Sequence, residues 1–340
     1  MKTWGFGIIG CGTIADFHMK AISEIDNVKL VAISDRKEVH AKAIAEREQC
    51  DWTTNYQELL TRDDIDVISL TTGSGSHAAI GLEVLEAGKH LFVEKPMSMK
   101  ASEAEALAAK AAEKGLMISV VSQRRFEPQN QQIHQAISQG ALGKLLLLEV
   151  KTPFYRTQEY YDSSAWRGTI AEDGGALMNQ GIHQIDLLLW MGGAVKSVSG
   201  KVATQTHAME AEDIGLGLLQ FENGALGTIM SSTSIQPGFA PQLNIYGEKG
   251  SIKLEGTEIV HWSVPGIPAP EAGQAVSSGG GVSDPKAISH VYHRLQMVNV
   301  VHSLDNNKQP IVTAEDGRRS VAVIEAIYES SSTGQTVNLN

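Results

Sequence analysis

Two side chains of this sequence can transfer a proton to or from a hydroxyl group. Lys95 directly follows a short apolar run, His90 to Val93, and precedes Pro96. His183 lies in a long apolar segment, and its imidazole titrates nearest neutral pH, which suits general acid–base catalysis. Oxidation of a secondary alcohol needs a hydride acceptor, a base and a group that stabilises charge on the oxygen. We predict that His183 is the base and that Lys95 polarises the oxygen, and the reverse assignment stays open.

A predicted helix from Gly174 to Trp190 places three polar side chains on one face. Asn179, His183 and Asp186 are spaced at i, i+4 and i+7, the repeat of an α-helix. We expect Asn179 to hold a substrate hydroxyl and Asp186 to orient the imidazole, with a structural role as the alternative for Asp186. His183 and Asp186 could also be spaced for a metal, but the sequence offers no further ligand cluster around them. We therefore predict no metal site.

A glycine turn near the start of the sequence has the spacing of a phosphate-binding loop. The segment GCGTIA, from Gly10 to Ala15, fits the pattern G-x-G-x-x-A. Gly10 permits a tight turn, Gly12 lets a pyrophosphate approach the backbone, and Ala15 lets the next helix pack closely on the strand. The N–H groups that open this helix attract phosphate, and they include those of Thr13 and Ile14.

Asp35 indicates which phosphate compound binds at this turn. It ends the next predicted strand, about 20 residues after the glycines, where a carboxylate accepts hydrogen bonds from ribose hydroxyls. The turn and the acid together predict a dinucleotide site. Asp35 repels a 2′-phosphate and so favours NAD, whereas Arg36 can pair with such a phosphate and leaves NADP open.

The first third of the sequence alternates between short apolar runs and helical segments. Buried parallel strands are predicted at Gly7–Ile9, Val28–Ile33, Val67–Thr71, His90–Val93 and Leu116–Val121. Helices are predicted at Ile14–Ile25, Lys37–Glu48, His77–Ala87 and Ala101–Lys114. Repeated strand–helix units indicate a doubly wound parallel sheet, so we predict an α/β Rossmann domain over residues 1–122.

The pattern changes after residue 122. A helix at Glu127–Gln139, a strand at Leu145–Thr152 and the helix from Gly174 are followed by strand-like runs joined at tight turns, and a last helix is predicted near Arg318–Glu329. Such runs indicate an antiparallel or mixed sheet, so we predict an α+β domain over residues 123–340. The Ser/Gly-rich stretch Gly273–Ser283 is predicted to be a mobile loop with the composition of a lid.

The bulk composition excludes several classes of protein. The net charge of −11, without a basic block, argues against nucleic acid as a partner. No apolar run approaches the roughly 20 residues that cross a bilayer, so we expect no membrane partner. The first residues lack a signal-peptide pattern, and Cys11 and Cys50 give no disulfide framework. We therefore expect a cytoplasmic protein.

Three segments together resemble the Gfo/Idh/MocA family, the glucose–fructose oxidoreductase and inositol dehydrogenase superfamily. They are the glycine turn, VEKP at Val93 to Pro96, and GGALMNQGIHQIDLLLW at Gly174 to Trp190. The resemblance covers nearly the whole chain, including AIYESSSTG at Ala326 to Gly334. It implies an NAD(P)-dependent oxidoreductase with a Rossmann domain and a second domain with a large open, mostly antiparallel sheet. It also implies a homodimer or homotetramer that forms through this sheet.

The resemblance also implies roles for single residues. Lys95 and His183 match the family's catalytic lysine and histidine. Glu94 and Gln123 match positions beside the nicotinamide. Asn179 stands where many relatives have an aspartate, so a carboxylate cannot take up a proton at this position.

Further cofactor contacts are implied on two loops. The loop from Thr71 to His77 is one of them, with Gly73 in place of the usual proline, and its implied contacts are Thr71, Thr72 and His77. The pair Trp166 and Arg167 resembles a Trp–Arg pair that reaches the cofactor in related sugar reductases.

These observations predict a dehydrogenase or reductase acting on a secondary hydroxyl of a sugar or cyclic polyol. Besides Lys95, Asn179, His183 and Asp186, we name Tyr160 and His293 as weaker substrate contacts. One alternative is a nucleotide-sugar dehydrogenase, for which the basic candidates to bind a diphosphate are Arg124, Arg125, Arg156 and Arg167. Another is a non-catalytic NAD-binding sensor, which the presence of both Lys95 and His183 argues against.

Overall fold

The first part of the chain forms a parallel sheet whose strands alternate with helices. The structure, a computed structural model, describes residues 2–270 and 289–339. The strands of this sheet are β1 (Trp4–Ile9), β2 (Val28–Ser34), β3 (Asp51–Thr53), β4 (Val67–Leu70), β5 (His90–Val93) and β6 (Ile118–Val120). They lie in the order β3-β2-β1-β4-β5-β6, and all pair in parallel. The strand order reverses between β1 and β4, the place where open α/β sheets bind ligands.

Helices connect these strands, four of them at close to the predicted bounds and one, the short helix between β3 and β4, not predicted. They are α1 (Thr13–Ser23), α2 (Glu38–Glu48), α3 (Gln57–Leu60), α4 (His77–Glu86) and α5 (Ala101–Lys114). Gly88 and Gly115 follow α4 and α5 with φ of +77° and +65°, the left-handed backbone that ends a helix without strain only at glycine. The sequence does not predict β3, because its three residues contain no apolar run.

A mostly antiparallel sheet forms the centre of the second part. Its strands are β7 (Leu145–Pro153), β8 (Val195–Ala203), β9 (Ile214–Phe221), β10 (Leu226–Ser232), β11 (Gln242–Gly247), β12 (Ser251–Glu255), β13 (Glu258–Ser263) and β14 (Val337–Asn338). The order is β13-β12-β11-β7-β10-β9-β8-β14. Among the described strands of this second sheet, β7 and β10 are the one parallel pair. The predicted fold class is therefore confirmed.

Helices of the second part are α6 (Pro128–Ser138), α7 (Gln158–Asp162), α8 (Ile182–Gly192) and α10 (Ala314–Thr333). A π-helix, Ala176–Gly181, directly precedes α8. The predicted α-helix from Gly174 to Trp190 is therefore two segments with different repeats. The face expected from i, i+4 and i+7 spacing does not extend unchanged to Asn179, because a π turn contains more residues than an α turn.

Glycines let α10 approach the second sheet closely. A Cβ atom on Gly217 would lie 2.8 Å from Ile327 Cδ1, and one on Gly200 would lie 2.7 Å from Ile327 Cγ2. Larger residues at these two strand positions would displace the helix. The packing of α10 on the buried side of the sheet thus depends on glycine at these positions as well as on apolar side chains.

The chain divides into two compact units, residues 1–123 with 290–318, and residues 124–289 with 319–340. The expected boundary at 122/123 lies one residue from this division, but residues 290–318 group with the first unit, not the second. The reason is α9 (Val291–Asp305), which packs on α1 and adds Met297, Val300 and Val301 to the core around β1. The predicted loop Gly273–Ser283 lies outside the described residues.

Candidate active site

The glycine turn after β1 is built for a close approach to the backbone. Gly10 has φ of +89°, and a Cβ atom there would lie 2.9 Å from the backbone nitrogen of Thr72. Gly12 is the N-cap of α1; no described side chain caps the helix there, and no described atom lies within 4 Å of where its Cβ would be. The helix N-terminus therefore offers N–H groups beside an open space, which fits a pyrophosphate.

Asp35 follows β2 and fixes the shape of this turn. One carboxylate oxygen accepts the N–H of Cys11 at 3.1 Å, and the other accepts the N–H of Lys37 at 2.8 Å. His40 Nδ1 also lies 3.5 Å from one of these oxygens, and because a carboxylate has about four acceptor positions, capacity remains for a ribose hydroxyl. The Asp35 side chain is 17% exposed, and Arg36 beside it is exposed. These features fit the adenosine ribose of a dinucleotide.

The loop from Thr71 to His77 is held by hydrogen bonds within the loop and by hydrogen bonds to Gly10 and Pro96. The Thr71 hydroxyl donates to the Gly10 carbonyl, and the Thr72 and Ser76 hydroxyls lie 2.7 Å apart. His77 is buried, with Nδ1 at 2.8 Å from the Pro96 carbonyl and Nε2 at 3.1 Å from the Thr72 carbonyl. Burial lowers the pKa of His77. A neutral ring carries one N–H, so it donates to one of these carbonyls at a time.

Lys95 is a half-buried residue between two buried ones, Glu94 and Pro96. It follows the C-terminal end of β5, and the Lys95–Pro96 peptide bond is cis. Glu94 turns back onto the same segment, so that its Oε2 accepts the backbone N–H of Lys95 at 3.1 Å. The side chain of Lys95 is thus presented from a backbone that buried contacts hold on both sides.

Glu94 is an ionised carboxylate in a buried position. Its Oε1 lies 2.9 Å from Nε2 of His18, whose Nδ1 lies 2.7 Å from the Ser69 hydroxyl. Burial raises the pKa of Glu94, but the hydrogen bond from His18 and the charges of neighbouring His18, His293 and Lys95 outweigh it and lower that pKa to about 2. Sequence reasoning does not single out His18 and does not find this contact.

His293 completes a cluster of three buried side chains, His18, Glu94 and His293, each with an atom that could bind a metal ion. Its Nε2 lies 3.9 Å from Glu94 Oε1, and neither ring nitrogen has a hydrogen-bond partner within residues 2–270 and 289–339. Burial lowers the pKa of His293 to about 4. Donor atoms of His18, Glu94 and His293 all lie within 4.8 Å of one another. His293, a predicted substrate contact, lies in the first unit beside the residue that precedes Lys95.

Gln123 ends the first unit with a buried side chain. Its Oε1 has no hydrogen-bond partner in the described part of the chain. Beside it, Gln296 accepts the N–H of Ser122 at 3.0 Å and donates to the Val120 carbonyl at 2.7 Å, which fixes the end of β6. An unsatisfied buried amide oxygen has a free energy cost that a donor on a bound ligand would remove.

In the second unit, Asn179 is held at both ends of its amide. Its nitrogen donates to Asp173 Oδ1, and its oxygen accepts from Gln180 Nε2 at 3.1 Å. Asp173 is buried, and its other oxygen accepts the N–H of Gly168 at 2.7 Å. His183 lies half-buried in the first turn of α8. Asp173, which sequence reasoning misses, thus places a buried carboxylate beside Asn179.

Asp186 forms a buried ion pair with Arg125. Both carboxylate oxygens accept from the guanidinium, at 2.8 Å from Nε and 2.6 Å from Nη2. Such a bidentate pair fixes α8 relative to the turn that contains Arg125, just before α6. Arg125 therefore has a structural partner, and so does Arg124, which pairs with Glu127 at 3.2 Å. Both were candidates for binding a diphosphate.

Aromatic rings and guanidinium groups alternate on the segment around α7. Arg167 donates to the Tyr160 hydroxyl at 2.6 Å and lies over the rings of Tyr160 and Trp166, at 4.2 Å and 4.5 Å from their centroids. Arg156 lies 5.5 Å from the Tyr160 centroid and donates to Gln180 at 3.1 Å. Trp166 is 39% exposed and Arg167 is half-buried, so this segment presents an aromatic ring and a guanidinium group at the surface.

Two family models match almost the entire chain. Residues 4–122 match the oxidoreductase family's NAD-binding Rossmann fold, and residues 134–339 match its C-terminal alpha/beta domain, both of Gfo/Idh/MocA type. The chain belongs to the Gfo/Idh/MocA family of oxidoreductases. The predictions of the family and of an NAD-binding Rossmann domain are thus confirmed. Within the described residues, no helix is long and apolar enough to span a bilayer.

Several relatives of this Gfo/Idh/MocA protein are informative. Uncharacterized oxidoreductase YrbE of Bacillus subtilis is 32% identical over 74% of this chain and 73% of its own length. The scyllo-inositol 2-dehydrogenase (NADP(+)) IolW of the same organism is 28% identical over 98% of this chain and 95% of its own. The WlbA dehydrogenase of Bordetella pertussis, solved with NADH and UDP-GlcNAcA, is 31% identical with a TM-score of 0.89, covering 100% and 99% of the two chains.

Proposed function

We propose that this oxidoreductase is an NAD-dependent dehydrogenase that acts on a secondary hydroxyl of a sugar or cyclic polyol, with Lys95 and His183 handling the proton. The observation that carries the proposal is the placement of Lys95. It is a half-buried lysine at the C-terminal end of a Rossmann strand, between two residues fixed by buried contacts. The likeness to an inositol dehydrogenase and to a sugar-nucleotide dehydrogenase supports the substrate class.

The cofactor residues follow from the first unit. Gly10, Gly12, Thr13 and Ile14 would hold the pyrophosphate, and Asp35 the adenosine ribose. Glu94 and Gln123 would contact the nicotinamide, whose C4 accepts or donates a hydride when the cofactor is bound. Asp35 supports NAD, because a second negative charge on a 2′-phosphate would be repelled there. The NADP(+) dependence of IolW and the exposed Arg36 keep NADP as the second choice.

The proton is assigned to this chain's own residues. We assign His183 as the group that takes the hydroxyl proton, because an imidazole changes charge near neutral pH. Lys95 donates to the reacting oxygen through its ammonium group and stabilises the negative charge that develops there. Asn179, fixed by Asp173 and Gln180, orients a neighbouring hydroxyl, and Asp186 positions α8.

A nucleotide sugar is the second candidate substrate. The relation to WlbA favours it. The guanidiniums of Arg124 and Arg125 already have carboxylate partners, and Arg156 is buried and donates to Gln180, so Arg167 is the first of the four that we would test for a diphosphate, followed by Arg156. Tyr160 and Trp166, which pack against Arg167, would then stack on a base or sugar ring.

The test is a substrate screen with matched variants. Purified protein is incubated with NAD⁺ or NADP⁺ and a panel of inositols, free sugars and UDP-sugars, and absorbance at 340 nm reports reduced cofactor. We expect turnover with one class, loss of about 100-fold or more in kcat for Lys95→Met and for His183→Ala, and unchanged NADH binding in both. A wild type that binds NADH but reduces no cofactor with any compound would leave the sensor as the better reading.

We also propose that the chain forms a homodimer or homotetramer through the second sheet, in the cytoplasm. Leu216 and Leu218 on β9 and Leu226 on β10 point to one side of adjacent strands and are 49%, 64% and 56% exposed. An apolar sheet face of this kind is typical of a surface that a second copy covers. The cytoplasmic assignment rests on the cysteines, both of which are free.

A further inference from the structure

We propose that His18 and His77 are positioning residues that hold Lys95 from both sides and connect it to the glycine turn. This inference rests on the proposed function, because it assumes that the Lys95 amine must stand at a fixed place on the substrate. Neither histidine was predicted as catalytic, and both ring nitrogens of His77, for which the resemblance implies a cofactor contact, lie at hydrogen-bond distance from backbone carbonyls instead. Each acts through the residue on one side of Lys95.

His18 acts through Glu94. It lies on α1, the helix that begins at the glycine turn, and its ring is fixed by the Ser69 hydroxyl at 2.7 Å. Its Nε2 lies 2.9 Å from Glu94 Oε1, and Glu94 Oε2 accepts the Lys95 N–H at 3.1 Å. The carboxylate therefore bridges α1 to the backbone of Lys95, and all of its contacts are buried.

His77 acts through Pro96. It opens α4, and its Nδ1 lies 2.8 Å from the Pro96 carbonyl. Its Nε2 lies 3.1 Å from the carbonyl of Thr72, the residue whose backbone packs against Gly10. The single N–H of the neutral ring is assigned to the shorter contact, at Pro96, and the ring lies between the Thr72 segment and the carbonyl after Lys95. His77 thus reaches the segment that packs against the glycine turn, and His18 lies on the helix that follows this turn.

A lysine needs such support because its four-carbon stem adds freedom at every bond. When the backbone at its Cα also moves, the position of the amine is poorly defined, and a misplacement of about 1 Å can cost about 100-fold in rate. The contacts of Glu94 and Pro96 fix the backbone on both sides of Lys95 and so define where its side chain starts.

The charges around Glu94 make its bond to His18 sensitive to substitution. The groups that face this carboxylate are His18 from α1, His77 from α4, His293 from α9 and Lys95 from its own segment. Loss of the His18 donor leaves a buried carboxylate that takes up a proton at higher pH than before. A protonated Glu94 has no negative charge to attract the Lys95 ammonium group, so kcat should then fall toward acidic pH.

The test uses the different reach of asparagine and glutamine. The amide nitrogen of asparagine lies near the position of histidine Nδ1, and that of glutamine lies near the position of Nε2. At position 18, glutamine keeps the donor to Glu94 and asparagine loses it. At position 77, asparagine keeps the donor to Pro96 and glutamine loses it. A role in filling space alone gives no such reversal between the two positions.

We expect His18→Asn and His77→Gln to lose about 10- to 100-fold in kcat, with KM and the NADH dissociation constant within about threefold of wild type. His18→Gln and His77→Asn should retain kcat within about threefold, and only His18→Asn should show a new acidic limb in its kcat profile. His90→Gln is the matched control, because His90 binds the Met117 N–H at the other end of β5. Equal effects of the two amides at either position would overturn the proposal.

A second readout is independent of turnover. Lysines of the free protein are reductively dimethylated with ¹³C-formaldehyde and a borane reductant, and the Lys95 signal is assigned by its absence in Lys95→Arg. We expect this signal to keep its shift in His18→Gln and His77→Asn and to move or broaden in His18→Asn and His77→Gln. If the wild type turns over no substrate but the signals follow this pattern, the proposed function fails and the positioning roles stand. Unchanged signals in all four variants would exclude the positioning roles.

Discussion

Asp35 has two roles at the residue scale, one in the fold of the glycine turn and one in the choice of cofactor. Its oxygens accept the N–H groups of Cys11 and Lys37, and the same charge would repel a 2′-phosphate. Substitutions that change the charge but keep an acceptor can separate the two roles. Asparagine does this, because its amide oxygen still accepts one N–H.

We expect Asp35→Asn to weaken NADH binding by about tenfold, since charge-assisted hydrogen bonds to the ribose are replaced by neutral ones. NADPH binding should stay the same or improve, because the repulsion is gone and Arg36 remains. Both dissociation constants are measured by quenching of protein fluorescence. Arg36→Gln is the companion variant and should reduce NADPH binding only. A parallel tenfold loss for both cofactors in Asp35→Asn would show that the residue acts through the fold of the turn alone.

At this scale the sequence predicts the residues with local signals. The spacing of Gly10 and Gly12, the position of Asp35 and the VEKP segment around Lys95 are all contained in short stretches of chain. His18 could not be identified as a partner of Glu94, because 76 positions separate them and an imidazole on an apolar helix face more often packs in a core. The role of Asp173 beside Asn179 was hidden for a similar reason, since it lies in an irregular turn.

At the element scale, the start of α1 offers a comparison between two glycines. Gly10 combines a positive φ with a backbone contact that a Cβ would violate, whereas Gly12 has neither. Alanine at the two positions should therefore fail for different reasons. One variant tests the fold of the turn, and the other tests the open space in front of the helix.

We expect Gly10→Ala to lower the free energy of unfolding by at least ~1–2 kcal/mol, the cost of a left-handed backbone at a non-glycine residue plus the clash with Thr72. Gly12→Ala should leave thermal stability within about 2 °C of wild type but weaken NADH binding by about tenfold or more, because its methyl group occupies the path of the pyrophosphate. Thermal melts and NADH titrations measure both quantities. Unchanged NADH binding in a folded Gly12→Ala protein would contradict the assigned site.

The helix that carries His183 shows where sequence patterns stop at this scale. Apolar periodicity locates the segment correctly but does not report the π turn at Ala176–Gly181. That turn accompanies a tertiary contact: Gly181 lies so close to Ser231 on β10 that a Cβ would be 2.0 Å from its hydroxyl. A single sequence contains no record of such a contact between distant positions.

At the scale of the whole molecule, repeated strand–helix units and runs of strands correctly predict both sheets. The return of residues 290–318 to the first unit could not be predicted, because no local pattern of α9 states which core it joins. The second unit contains a buried carboxyl group, that of Glu212, which makes stability depend on pH. Its side chain contacts the start of the π-helix and accepts the Leu177 N–H at 2.8 Å.

Burial raises the pKa of Glu212 from 4.5 to about 7. A group whose pKa is raised by folding stabilises the protein fully below pH 4.5, and this contribution is lost as pH rises through 7. We therefore expect Glu212→Gln, which keeps the acceptor for Leu177, to be more stable than wild type at pH 8.5 by up to ~3 kcal/mol and not at pH 5. Urea unfolding at the two pH values measures this difference. Glu222→Gln, at an exposed carboxyl, is the control and should show no such difference.

The proposed assembly is tested on the exposed leucines of the second sheet. We expect the wild type to elute as a dimer or tetramer of the 36.6 kDa chain in light-scattering chromatography, and Leu216→Lys with Leu218→Lys to elute as a monomer. Val39→Lys introduces the same charge at an exposed position of the first unit and should leave the assembly intact. A monomeric wild type would rule out this interface.

The glycines beneath α10 restrict which substitutions this family's sequences can accept. Gly217 and Gly200 both face Ile327, so a methyl group gained on the strand needs one lost from the helix. We expect a single substitution at either site to be selected against, because only a paired substitution conserves volume. Relatives in which position 217 became alanine or serine should therefore have valine or alanine at position 327. The contact between sheet and helix would then be visible as a pair of positions that change together across many genomes.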